Sequence, residues 1–155
     1  MVDKAALGAV GVPFEMDIER GKIREFARAT CASPQAHPAH FEGERPVIPP
    51  TFLTTQFFWE EAVAGSNPWS LVQMSQERGM HAEQEYTFHG PPPRAGDRLV
   101  CTSRIESITE KEGRRGGSMT FVVMITEFRD LEGRLVAEAR LTGVETGRAP
   151  GEEGQ

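Results

Sequence analysis

The chain has 155 residues, 38% of them apolar and 26% charged, with a formal net charge of -6. That length favours one domain, and a domain of this size buries roughly 68–70% of the surface its unfolded chain exposes. The negative balance gives no electrostatic support to a nucleic-acid or anionic-membrane partner, and no run approaches the roughly 18–20 apolar residues that span a bilayer.

From Ala5 to Phe14 the chain is apolar but contains two glycines and a proline. With Asp3 beside Lys4 and no cleavage pattern, this start does not read as a signal peptide. Gly11 to Asp17 alternates and predicts an edge strand, with Pro13 near its beginning. Asp17 then caps a helix from Ile18 to Thr30, with Ile23, Phe26, Ala27 and Thr30 on one face. Arg20, Lys22, Arg24, Glu25 and Arg28 are left to face water. Cys31 to Val47 is irregular, with Pro34, Pro38, Gly43 and Pro46, and long loops of this kind often carry function. Cys31 and Cys101 have no ligand spacing and read as small apolar side chains in a reducing cytosol.

Pro49 to Gly65 is the expected organising element. Phe52, Leu53, Phe57, Phe58, Trp59, Ala62 and Val63 cover most of a helical circumference, which predicts a buried helix. Thr51 suits its cap, Pro50 its first turn and Gly65 its end. Ser66 to Gly79, with Asn67-Pro68 and Trp69, reads as a connection. Four strands follow. In Ala82–His89, Ala82, Tyr86 and Phe88 alternate with polar residues, and Pro91-Pro92-Pro93 ends the run. In Leu99–Thr109, Leu99, Cys101 and Ile105 share a face. Met119–Phe128 is apolar on both faces, as a central strand is. Leu135–Val144 closes the set. The turns between them are Asp97, Gly113–Gly117 and Asp130–Gly133. Residues 1–145 are expected to form one domain and 146–155 a disordered tail rich in Gly, Pro and Glu. One long helix followed by consecutive hairpins predicts an α+β architecture, a curved antiparallel sheet around that helix.

Gly21-Lys22-Ile23, Phe26-Ala27, Pro49-Pro50-Thr51-Phe52, His81-x-Glu83-Gln84-Glu85-Tyr86 and Pro92-Pro93-Arg94-Ala95-Gly96-Asp97-x-Leu99 occur in that order. The set resembles the MaoC-like hydratase/dehydratase family, above all its amino-terminal-type, fatty-acid-synthase-like dehydratase region and subunits of the mycobacterial (3R)-hydroxyacyl-carrier-protein dehydratase. The resemblance implies a hot-dog fold, a homodimer or a pair of unlike hot-dog subunits, and thioester substrates on coenzyme A or acyl carrier protein. It implies reversible hydration of a trans-2-enoyl thioester. Catalytic family members carry an aspartate and, five positions on, a histidine in the loop after the first helix. By that count His37 holds the histidine position and Ala32 the aspartate position. Pro91 stands where the family often has arginine.

Hydration needs a base near a water, an acid near the α carbon and donors on the carbonyl oxygen. His37 and His81 are the candidates for proton transfer, although an exposed loop histidine and part of a solvated strand face explain them equally simply. Pro50, Thr51 and Phe52 would present a helix start to the thioester oxygen, and Trp69 would line or cover an acyl tunnel. No cofactor is called for. His37 and His40 lack the further ligands of a metal site. Arg114 and Arg115 fit a phosphate, or more simply a soluble hairpin. A non-catalytic acyl-binding subunit is the alternative to an enzyme, motivated by Ala32. A thioesterase comes third, because Glu60 and Glu61 lie at the far end of the expected helix.

Overall fold

Alternating and doubly apolar segments pair into one sheet. The computed structural model describes residues 1–30, 41, 43–113 and 117–147. Five antiparallel strands, β1 (Phe14–Asp17), β2 (Gly79–Phe88), β3 (Arg98–Glu112), β4 (Ser118–Arg129) and β5 (Leu135–Thr146), lie in the order β1-β3-β4-β5-β2. β4 is central, and Val122 to Ile125 are buried on both of its faces, as expected. The β4–β5 turn is set by Asp130, which accepts from the Arg134 N–H at 2.8 Å, and by Gly133 at φ 83°. Asp97 likewise accepts from the Arg94 N–H at 2.8 Å and pairs with Arg45 at 2.7 Å.

Several boundaries differ from expectation for identifiable reasons. Asp17 does not cap the first helix; it sits in β1 and pairs with Arg98 Nε at 2.6 Å. The helix, α1, runs Arg20–Ala29 after Glu19, and buries Ile23 and Ala27. β2 starts at Gly79, and a register shift between His81 and Glu83 leaves Ala82 exposed, out of phase with Tyr86 and Phe88. β5 continues to Thr146, opposite Met119.

The largest difference is in the organising segment. In place of one long helix there is a 3₁₀ turn, Phe52–Gln56, running into a single α turn, α2, Phe57–Glu60. Consecutive β-branched Thr54 and Thr55 disfavour a regular α-helix there. Ser66 then ends it: its buried hydroxyl lies 2.7 Å from the carbonyls of both Glu60 and Val63. Only the first half is enclosed. Phe52 and Leu53 are 0% exposed, whereas Phe58 is 67% exposed beneath the Lys22 ammonium, 4.6 Å from its ring centroid. Phe52 meets Phe26 of α1 edge-to-face at 5.6 Å and shares one core cluster with Ile23, Leu99, Phe128 and Ala137. A second cluster, around Val2, Val72, Ile105, Val122 and Met124, fills the other end of the same sheet.

The connection before β2 is tied to β5 by Glu145. This buried carboxylate accepts the Ser75 N–H at 2.9 Å and Arg78 Nη2 at 2.8 Å. Burial raises its pKa, but the Ser75 N–H, the amino-terminal charge and Arg78 outweigh burial and leave it lowered. A lowered carboxylate contributes stability that is present above its unfolded value of 4.5 and is lost as pH falls through the folded one. Glu145→Ala is expected to cost about 1.5–3 kcal/mol at neutral pH. The deficit should shrink in acid, where the parent loses the same interaction. Urea unfolding of both proteins across that range checks this.

Candidate functional site

The Pro68–Val72 3₁₀ turn, the start of β2 and the surface of β4 and β5 enclose an open cleft of about 470 Å³. Local chemistry builds its wall. Asn67 Oδ1 accepts the Trp69 N–H at 2.9 Å and buried Pro68 opens the turn, which together direct Trp69 over the sheet. Gly143 in β5 makes room for it. A Cβ there would lie 2.7 and 2.8 Å from Trp69 ring carbons and 3.2 Å from Met74 Cε. Met124 and Leu141, paired across β4 and β5, form the floor. Met74, Met80 and Phe57 complete an apolar surface that can reshape around a flexible chain. Among the described lining residues, His81 is the one titratable group. It is exposed, and its Nε2 lies 3.0 Å from the Glu83 carbonyl oxygen.

Phe57, Met124 and Leu141 also line a separate recess of about 10 Å³, walled further by Gln56, Gln84, Tyr86 and Thr126. Behind it runs a buried polar chain. Gln56 Nε2 donates to Thr126 Oγ1 at 3.3 Å, and the Thr126 and Ser103 hydroxyls are 2.8 Å apart. Glu60 is 2% exposed and one of its oxygens, Oε1, has no protein partner. Burial, and then repulsion from Glu61, hold its pKa above the usual range against the opposing Ser103 bond. Burial also pushes the Cys101 thiol up strongly, so this cysteine is an inert core side chain.

A raised carboxyl binds its proton more tightly in the folded state. Its stabilising contribution is complete below the unfolded value of 4.5 and is lost as pH rises through the folded one. Glu60→Gln, which keeps the acceptor for Ser103 without the charge, is expected to raise the melting temperature at neutral and alkaline pH. It should give no gain in acid, and thermal unfolding over pH reads the difference.

The cleft brings together Trp69 and His81 of the expected site residues. Pro50 and Thr51 are exposed at the head of the 3₁₀ turn, and Phe52 is core; none of the three lines the cleft. The amides of that turn are partly engaged already, since Phe52 N–H donates to Pro49 O at 3.0 Å and Thr54 N–H to Thr51 O at 3.1 Å. Thr51 makes no side-chain cap. Ala32, His37, His40, Arg114 and Arg115 lie outside the described residues. The sequence reasoning missed Gly143 and the Met74, Met80 and Met124 surround. A lone glycine inside a strand pattern was the available signal, because it marks close approach by another group.

Residues 5–139 match the model of the FAS1-like, dehydratase domain region. The chain belongs to this family. A UPF0336 protein of Parafrankia sp. (strain EAN1pec) is 33% identical over 144 residues, covering 90% of this chain and 89% of that protein. The C-terminally truncated HadBC (3R-hydroxyacyl-ACP dehydratase) complex from Mycobacterium tuberculosis is 25% identical, with TM-score 0.67, covering 91% of this chain and 98% of that one. The ChsH1-ChsH2 complex from the same organism shares the fold at 16% identity and TM-score 0.64, covering 96% of this chain and 89% of that one. This member of the FAS1-like dehydratase region is thus an α+β hot-dog protein of the MaoC-like dehydratase kind, its antiparallel sheet wrapped on the short helical segment. Among its described residues no helix is long and apolar enough to cross a membrane.

Proposed function

We propose that the protein is the acyl-binding half of a hydratase/dehydratase that interconverts trans-2-enoyl and (3R)-hydroxyacyl thioesters of coenzyme A or acyl carrier protein. One observation carries the reading: a cleft with an apolar floor and a polar rim whose described lining offers one titratable group, His81, and no carboxylate. Addition of water across the double bond needs a proton taken from water and a proton delivered to carbon. A single histidine at the cleft rim supplies at most half of that, and Ala32 at the family's aspartate position cannot supply the rest. The Met74, Met80, Met124 and Trp69 surface supports binding of the chain. His37 remains the second candidate for proton transfer.

The missing group then comes from a second hot-dog subunit. Among the described residues β2 ends the sheet, so its outer edge is one that another strand can extend. The mycobacterial relative is itself a two-chain complex, which favours an unlike partner over a lone chain.

Loss of enoyl absorbance from crotonyl-coenzyme A tests this. The purified chain is expected to bind the thioester with little or no turnover, and turnover is expected to appear when a catalytic hot-dog subunit is added. Full activity of the chain alone would make it an independent hydro-lyase. Release of free coenzyme A instead would favour a thioesterase, which the buried position of Glu60 argues against.

A further inference from the structure

Three arginines share one outer face of α1. Arg20, Arg24 and Arg28 follow at intervals of four residues, about 6 Å apart along the axis by the helical rise, and all three are exposed. With Gly21 and Phe41 they line a groove of about 450 Å³, and none of its described lining residues is a carboxylate. The groove shares no described lining residue with the cleft under Trp69. The fourth cation of the helix points elsewhere: the Lys22 ammonium lies over the Phe58 ring, 4.6 Å from its centroid.

Local electrostatics alone disfavours this stripe. Like charges four residues apart destabilise a helix. Arg20 also stands in a first turn that holds no acid, at the positive end of the helix dipole. The chain as a whole carries a net charge of -6, so three arginines on one helical face are a local reversal of sign. Arg20 and Arg28 each have an interaction of their own within the chain.

Gly21 adds a second unfavourable choice. Glycine inside a helix is less stable than alanine, and a Cβ here would meet nothing within 4 Å. Packing therefore does not require the glycine. What it keeps is an open floor to the groove.

We propose that this groove is an anion site for the diphosphate group of a nucleotide. The guanidinium fork matches paired phosphoryl oxygens as an ammonium does not. An anion lying along the stripe offsets the mutual repulsion of the arginines and the opposition between Arg20 and the dipole. The volume is that of a small-molecule site. The site is independent of the thioester reading, since it uses none of the acyl cleft. The diphosphate belongs either to a free nucleotide or to the nucleotide end of coenzyme A, and the experiment separates the two.

The whole chain is titrated calorimetrically with ADP and with AMP at physiological ionic strength. The parent is expected to bind ADP saturably and roughly tenfold more tightly than AMP, which lacks the second phosphoryl group. Arg24→Ala is expected to weaken ADP binding roughly tenfold, and Arg24→Lys to restore only part of that loss. Gly21→Leu improves helix propensity and leaves every arginine in place, yet it is expected to fill the groove and weaken ADP binding as much. Displacement of ADP by coenzyme A assigns the diphosphate to the coenzyme. Binding of ADP that coenzyme A leaves untouched assigns it to a free nucleotide, and the site holds in both cases. The inference is overturned if the parent does not bind ADP saturably, if it binds ADP and AMP equally, or if Arg24→Ala and Gly21→Leu leave the affinity unchanged. The comparison of ADP with AMP on the parent decides the matter even if a variant does not fold.

Discussion

Phe52→Ala is expected to destabilise the protein by about 3–5 kcal/mol, the range for emptying a large aromatic site in a well-packed core. Phe52 is 0% exposed, meets Phe26 of α1 edge-to-face and belongs to the same core cluster as Leu99, Phe128 and Ala137 of the sheet. Phe58→Ala is the matched control. Its ring is 67% exposed and its described ring contact is the Lys22 ammonium, so its cost should stay within about 0.5 kcal/mol. Urea unfolding of the two variants separates the cases. Equal losses would mean that the segment is enclosed along its whole length.

Gly143→Ala is expected to weaken acyl-thioester binding at least tenfold and to cost about 1–3 kcal/mol of stability by overpacking. The new Cβ would lie 2.7 Å from the nearest Trp69 ring carbon, with Met74 at 3.2 Å on the same side. Met74 can move, but the indole is held by the Asn67 and Pro68 geometry of its turn and by the sheet beneath. Tilting it narrows or unroofs the cleft. Tryptophan emission and ligand titration together measure both effects. Unchanged affinity would place the acyl chain somewhere other than under Trp69.

Much of the sheet was legible beforehand. Period-two alternation and turn residues such as Asp97, Asp130 and Gly133 act over a few neighbours, so a linear reading finds them. The organising segment was only half legible. Its apolar residues run around the whole helical circumference, and that pattern fits a fully enclosed helix as well as a short one with Phe57 and Phe58 left outside. What shortens it is Ser66 reaching back to two carbonyls, a contact that periodicity does not encode.

The site was less legible still. Trp69 and His81 could be singled out as residue types. Their meeting over Gly143 depends on β2 pairing with β5, some sixty residues further on by the register of His81 opposite Gly143. The polar chain from Gln56 to Ser103 could not be read at all, because its links come from the 3₁₀ turn, β3 and β4 and none carries a motif.

The account stands or falls on an acyl chain lying in the cleft between Trp69 and the β4–β5 floor. The protein has six methionines, and three of them, Met74, Met80 and Met124, line that cleft, whereas Met16 is buried in the other cluster. Methyl-labelled methionine resonances, assigned by single leucine substitutions and followed during titration with an acyl-coenzyme A, report on each place separately. The expected result is that Met74, Met80 and Met124 shift together and saturably while Met16 stays fixed. Saturable shifts that spare all three cleft methionines, or none at ligand concentrations that saturate related hydratases, would contradict it.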